Sequence, residues 1–196
     1  MPPHEPKNLA ASVCQRLLDL ARSRNEDFGL ILVKYGLERI LYRLGRSHHR
    51  DAFVLKGALL FELWTETTYR ATRDADFLAR GDNSPERFVG VFKELCIIEV
   101  EPDGLIFDAD SVKAERITED ADYEGVRVTF TAYLERARIP IQIDIGFGDA
   151  ITPAPVETNT LHYCRPPILA FSLIPKKLWS PKNSRPWSSS GSPTAE

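Results

Sequence analysis

Asp74 and Asp76 stand two apart in the run Asp-Ala-Asp-Phe-Leu, and Asp144 stands in the run Ile-Gln-Ile-Asp-Ile. Residues two apart on a strand leave the same face, so the pair presents its carboxylates together. Asp144 falls on the polar side of a segment whose other side is isoleucine at 139, 141, 143 and 145. If the two strands are neighbours, three carboxylates meet on one patch, the arrangement that holds a pair of Mg²⁺ ions by hard oxygen donors. Spacing alone carries little, because 28 acidic residues in 196 give about four such pairs by chance. Carboxylates that merely face solvent are the alternative.

The surroundings add to the pair. Phe53-Val-Leu-Lys-Gly57 reads as a short strand ending in glycine, followed by a helical run Ala58-Leu-Leu-Phe-Glu-Leu-Trp64. Backbone amides beside a glycine at a helix start suit a triphosphate. Arg70 and Arg73, just before the carboxylates, can add charge-assisted contacts to phosphate. Lys56 precedes the glycine, and alternation points its side chain away from it.

These positions need elements to hold them. Helical periodicity from Leu9, with Asn8 as N-cap, and again over 28–44 predicts two N-terminal helices. On the second, the face carrying Lys34, Glu38, Arg39 and Arg43 reads as a solvated surface. Arg46 to Asp51 reads as a polar loop in which the adjacent His48 and His49 diverge, so it is assigned no metal. A third helix over 84–95 opens with Ser84 as cap and Pro85 in the first turn, with Phe88, Val91, Phe92 and Leu95 inward. Alternation over 112–117, 126–134 and 139–145 predicts strands, the last two forming an antiparallel hairpin. Helices first and antiparallel strands later predict an α+β domain.

Composition bounds the rest. A chain of 196 residues, 43% hydrophobic, with net charge −3, builds an ordinary core and has no bulk cationic footprint for nucleic acid. Three scattered cysteines without metal-ligand spacing predict a reducing compartment and no zinc site. Apolar runs are too short for a membrane span and the opening residues do not read as a signal peptide, so a cytoplasmic protein is expected.

Three segments in order, Phe53-Val-Leu-Lys-Gly-Ala-Leu-Leu-Phe-Glu-Leu-Trp, Arg70-Ala-Thr-Arg-Asp-Ala-Asp-Phe-Leu and Ile141-Gln-Ile-Asp-Ile-Gly-Phe-Gly-Asp149, resemble the AbiEii/AbiGii-type nucleotidyltransferase toxins of bacterial type IV toxin-antitoxin systems. The resemblance runs from about Leu9 to Phe171. It implies a polymerase-β-like nucleotidyltransferase fold, with N-terminal helices and a mixed sheet, over 1–171. It also implies transfer of a nucleoside monophosphate from an NTP to an RNA acceptor, tRNA by the family pattern, and a cognate antitoxin partner. Carried over by motif, Asp74, Asp76 and Asp144 are the catalytic Mg²⁺ ligands. Gly57 then lies at the nucleotide phosphates, and Lys56, Ala58, Arg70 and Arg73, which flank it and the carboxylates, are expected at the nucleotide with it. Ala58 departs from the Ser or Gly of many nucleotidyltransferases, which removes a hydroxyl but leaves the backbone amides.

The last 25 residues, 172–196, hold seven Ser and four Pro but one acidic residue, and read as a disordered tail. The family's C-terminal helical half, with its Lys motif, has no counterpart in this sequence, and Lys176 and Lys177 read as solvated. With a favourable choice of synonymous codons, a frame displaced at Pro175 yields an amphipathic helix bearing that motif. The tail is therefore read as the product of a frameshift near Leu173, and the chain alone as inactive. The alternatives are a non-catalytic remnant that binds the antitoxin, or an unrelated α+β interaction module.

Overall fold

The computed structural model of the protein describes residues 8–59, 72–119 and 123–147, together with the strand backbone at 156–159 and 170–173. Among the described residues three helices, α1 (Leu9–Arg24), α2 (Phe28–Arg46) and α3 (Pro85–Ile97), accompany seven strands. The strands are β1 (Phe53–Lys56), β2 (Asp74–Ala79), β3 (Leu105–Glu119), β4 (Tyr123–Leu134), β5 (Ala137–Gly146), β6 (Val156–Asn159) and β7 (Ala170–Leu173). They form one mixed sheet in the order β3-β4-β5-β2-β1-β7-β6. Pairing is parallel between β2 and β5 and between β1 and β7, and antiparallel elsewhere. The expected α+β fold with N-terminal helices and a mixed sheet is thus present.

Local chemistry explains the helix ends. The Asn8 carboxamide accepts from the Ala11 amide, and Asn25 takes the left-handed conformation that closes α1. Asp27 caps α2 by accepting from the Leu30 amide at 2.8 Å. At α3 the expected Ser84 cap is not made. Its hydroxyl instead donates to Asp82 at 2.5 Å, leaving Pro85 to set the first turn.

One face of the sheet is apolar, as the alternation predicts, and the helices lie on it. Phe53 packs edge-on against Phe77, Phe88 and Phe92, and Phe130 meets Phe92 and Phe107. Helix α2 crosses β5 so closely that a Cβ on Gly36 would lie 2.6 Å from the Ile141 side chain. Glycine is what permits that approach.

The solvated face expected on α2 does not exist. Lys34, Glu38, Arg39 and Arg43 are all buried, as is every residue from Leu30 to Leu44. The segment before β3 supplies the compensation. Asp103 accepts from Arg39 at 2.9 Å and from Arg43 at 2.7 Å, while the Tyr35 hydroxyl donates to the Asp103 carbonyl. Burial pushes the Asp103 carboxyl up, but its hydrogen bonds with Arg43, Arg39 and the Leu105 amide outweigh that and hold it below its ordinary value. Two buried arginines on one carboxylate tie α2 to the start of β3 across some sixty residues of chain, a partner that helical periodicity cannot reveal.

Candidate active site on the polar face of the sheet

Register builds the site. Asp76 on β2 pairs with Asp144 on β5, Asp144 pairs with Arg127 on β4, Arg127 with Glu115 on β3, and Asp76 with Lys56 on β1. Residues directly opposite on neighbouring strands leave the same face. One row of charge, Glu115-Arg127-Asp144-Asp76-Lys56, therefore crosses five strands opposite the apolar core. Asp74 stands in the next row, paired with Gln142. The sheet thus brings Asp74, Asp76 and Asp144 to one face, and Lys56 with them.

Each carboxylate has its own setting. The Thr72 hydroxyl, itself buried, donates to Asp74 Oδ1 at 2.5 Å. Gly57 lies against Asp76. Its φ of +77° belongs to the left-handed region, and a Cβ there would collide with the Asp76 carboxylate, 2.6 Å from Cγ. Any side chain at 57 is excluded by both conformation and space, so the glycine read as a phosphate contact also shapes the carboxylate's place.

Asp144 is 1% exposed and fully occupied. Arg127 grips it with two bonds, Nε to Oδ1 at 2.8 Å and Nη2 to Oδ2 at 2.9 Å, and the Gln142 amide donates to Oδ2 at 3.2 Å. The Asp144 hydrogen bond raises the Arg127 pKa above its already high value. Desolvation opposes that shift, while the charges of Asp144, Glu115 and Asp74 add to it. Among the described residues the ligand oxygens of Asp74, Asp76 and Asp144 are not drawn to within 4.8 Å of one another. The donors are nonetheless all hard oxygens on one face, the set that suits Mg²⁺ rather than a softer ion.

The remaining candidates divide. Ala58 is partly buried just beyond Gly57. Arg73 is not brought to the carboxylate face; it reaches 3.7 Å from Asp27 at the start of α2, on the helical side of the sheet. Arg70 and the helical run beyond Leu59 lie outside the described residues, as do 174–196 with their lysines, whereas the first two residues of the tail expected to be disordered over 172–196, Ser172 and Leu173, are strand, paired with β6 and β1. Sequence reasoning missed Arg127 and Thr72. Thr72 had a readable signal, a hydroxyl two residues before an aspartate in extended chain. Arg127 had none, since one arginine in an alternating strand gains meaning only from the strand beside it.

Residues 39–174 match the family described as nucleotidyl transferase AbiEii toxin, Type IV TA system. That span is well over half of the chain, and the chain belongs to this family. Among solved structures it is similar to JHP933 from Helicobacter pylori, with 19% identity over 75% of this chain and 53% of that one at a TM-score of 0.43. It is also similar to a protein described as "putative nucleotidyltransferase from H. pylori", with 17% identity over 75% of this chain and 54% of that one, again at 0.43. The chain spans about half the length of these two proteins. No curated protein matches it. Among the described residues no helix is long and apolar enough to cross a membrane.

Proposed function

We propose that this chain carries the cation-binding and nucleotide-binding face of an Mg²⁺-dependent nucleotidyltransferase, acting in the cytoplasm on an NTP and an RNA acceptor, with tRNA first among candidates. The observation that carries it is the in-register Asp76 and Asp144 beside Asp74, with Gly57 pressed on Asp76. In the reaction an acceptor hydroxyl gives up its proton to solvent as its oxygen bonds to the α-phosphorus, the bond from that phosphorus to the bridging oxygen breaks, and pyrophosphate leaves with the electron pair. Bound Mg²⁺ supplies charge neutralisation and a more acidic hydroxyl. Asp74 and Asp76 would hold the cations, and Asp144 could join them only if its two bonds to Arg127 were given up. Arg127, a quarter exposed in its side chain, then offers a planar fork to phosphate oxygens.

The test is Mg²⁺-linked NTP binding followed by transfer of labelled nucleotide to tRNA. Asp76→Asn is expected to abolish the linked binding; binding that survives both this change and chelation refutes the reading. A second reading, a remnant that binds nucleotide or a cognate antitoxin without turnover, is favoured by one fact. Both Asp144 oxygens are already engaged by Arg127. Under that reading NTP binds and no product forms.

A further inference from the structure

Away from the carboxylate face, the turn after α2 and the outer side of α3 bring three ligand-bearing side chains together. His49 Nε2 lies 2.9 Å from Glu94 Oε2, and His48 Nε2 lies 3.8 Å from the same oxygen. Nitrogen and oxygen ligand atoms of all three residues lie within 4.8 Å of one another. The two rings sit with centroids 3.9 Å apart, so the divergence expected of adjacent histidines is overturned. That expectation belongs to extended chain. Here His49 is helical, φ −84° and ψ −8°, and its amide donates to the Ser47 hydroxyl, which in turn donates to the Leu44 carbonyl. The tight turn off the end of α2 therefore sends both imidazoles the same way.

We infer that His48, His49 and Glu94 form a binding site for a first-row transition-metal ion of the Zn²⁺ class. In a tetrahedral site with bonds near 2.0–2.1 Å, ligand atoms stand about 3.3 Å apart. The two His-to-Glu94 edges, 2.9 and 3.8 Å, fall on either side of that value. Closing the triangle asks for small movements from the two exposed members. The side chains of His48 and Glu94 are 78% and 56% exposed, whereas His49 at 19% is held. Two imidazole nitrogens and one carboxylate leave a fourth position open to water, and they select Zn²⁺, Ni²⁺ or Cu²⁺ over Mg²⁺, which prefers oxygen. On the proposed function the chain would thus carry two cation sites of different chemistry, one of oxygens on the sheet and one of two nitrogens and an oxygen beside α3. The nitrogen site is also placed to matter structurally. The short 3-10 turn Arg50–Ala52 runs directly from it into β1, whose end carries Lys56 and Gly57. An ion there clips that lead-in to α3.

The experiment uses the full 196-residue chain, without a histidine tag and stripped by chelator, titrated with Zn²⁺ in excess Mg²⁺ by calorimetry and thermal unfolding. One equivalent of Zn²⁺ is expected to bind and raise the melting temperature, equally in wild type and in Asp76→Asn. His49→Ala and Glu94→Gln are expected to weaken it by at least about tenfold. Glu94→Gln, on the exposed side of α3, serves if His49→Ala fails to fold. Co²⁺ substituted for Zn²⁺ should show ligand-field bands without thiolate charge transfer. Absence of Zn²⁺ uptake, uptake indifferent to both substitutions, or a thiolate band pointing to the cysteines overturns the inference.

Discussion

Replacing Arg127 with Met removes one partner of a buried ion pair while keeping much of the side-chain volume. Asp144, 1% exposed, would keep only the 3.2 Å bond from Gln142. Orphaning a buried charge costs about 3–5 kcal/mol. Because the Arg127 side chain is a quarter exposed and one hydrogen bond remains, solvent screening brings this to about 2–3 kcal/mol. At about 2–4 °C per kcal/mol for a domain of this size, the melting temperature should fall by about 4–12 °C. The assay is thermal unfolding in chelator and in Mg²⁺. If Asp74, Asp76 and Asp144 share a cation site, Mg²⁺ should raise the melting temperature of the variant more than that of wild type, where the ion must first displace the guanidinium. At a hundredfold excess over its Kd the ion would return about 2.7 kcal/mol. Adding Asp144→Asn to the variant should restore most of the stability in chelator, since no orphan charge is left. A loss under about 1 kcal/mol, or an equal response of both proteins to Mg²⁺, would refute the reasoning.

Gly57→Ala should cost about 1–2 kcal/mol for its left-handed backbone alone and push Asp76 aside, abolishing Mg²⁺-linked NTP binding; wild-type affinity in a titration would show that Gly57 does not shape the site. Asp103 is held below its ordinary pKa in the folded state, so its stabilisation is complete above the unfolded value of about 3.9 and is lost as pH falls through the lower folded value. Asp103→Asn should therefore cost about 3–5 kcal/mol at neutral pH by orphaning Arg39 and Arg43, and denaturant titrations should show the gap narrowing below about pH 4; a gap constant into strong acid contradicts the assignment. Burial pushes the Cys96 thiol up to about 12, so iodoacetamide should label it only on unfolding, and mass spectrometry finding native-state labelling at a free thiol's rate would disprove its burial.

Much of the fold was legible because period reports directly on which face is buried. The isoleucines of β5, the inner face of α3 and the Asn8 cap follow from local rules, and so does the shared face of Asp74 and Asp76. Family resemblance added the order of the three motifs. Strand ends were less legible. The first half of β3 was not expected, since Asp108 and Asp110 interrupt its pattern where the register with β4 shifts between Asp108 and Lys113.

What a residue faces across the fold is not encoded locally. Arg39 and Arg43 look like solvent-facing charges until Asp103 arrives beneath them. His48 and His49 look divergent until a helical turn aligns them over Glu94. The composition and spacing of this sequence determined the helices α1 to α3, the strands β1, β2, β4 and β5 with the second half of β3, and the pair of carboxylates on β2, but not β6 or β7. Only the tertiary structure decided that β5 lies parallel beside β2, which places Asp144 level with Asp76, and that β4 then delivers Arg127 to Asp144. Alternation fixes a side chain's face relative to its own strand, whereas charge pairing depends on the neighbour and the register, and these are set by the packing of the whole sheet.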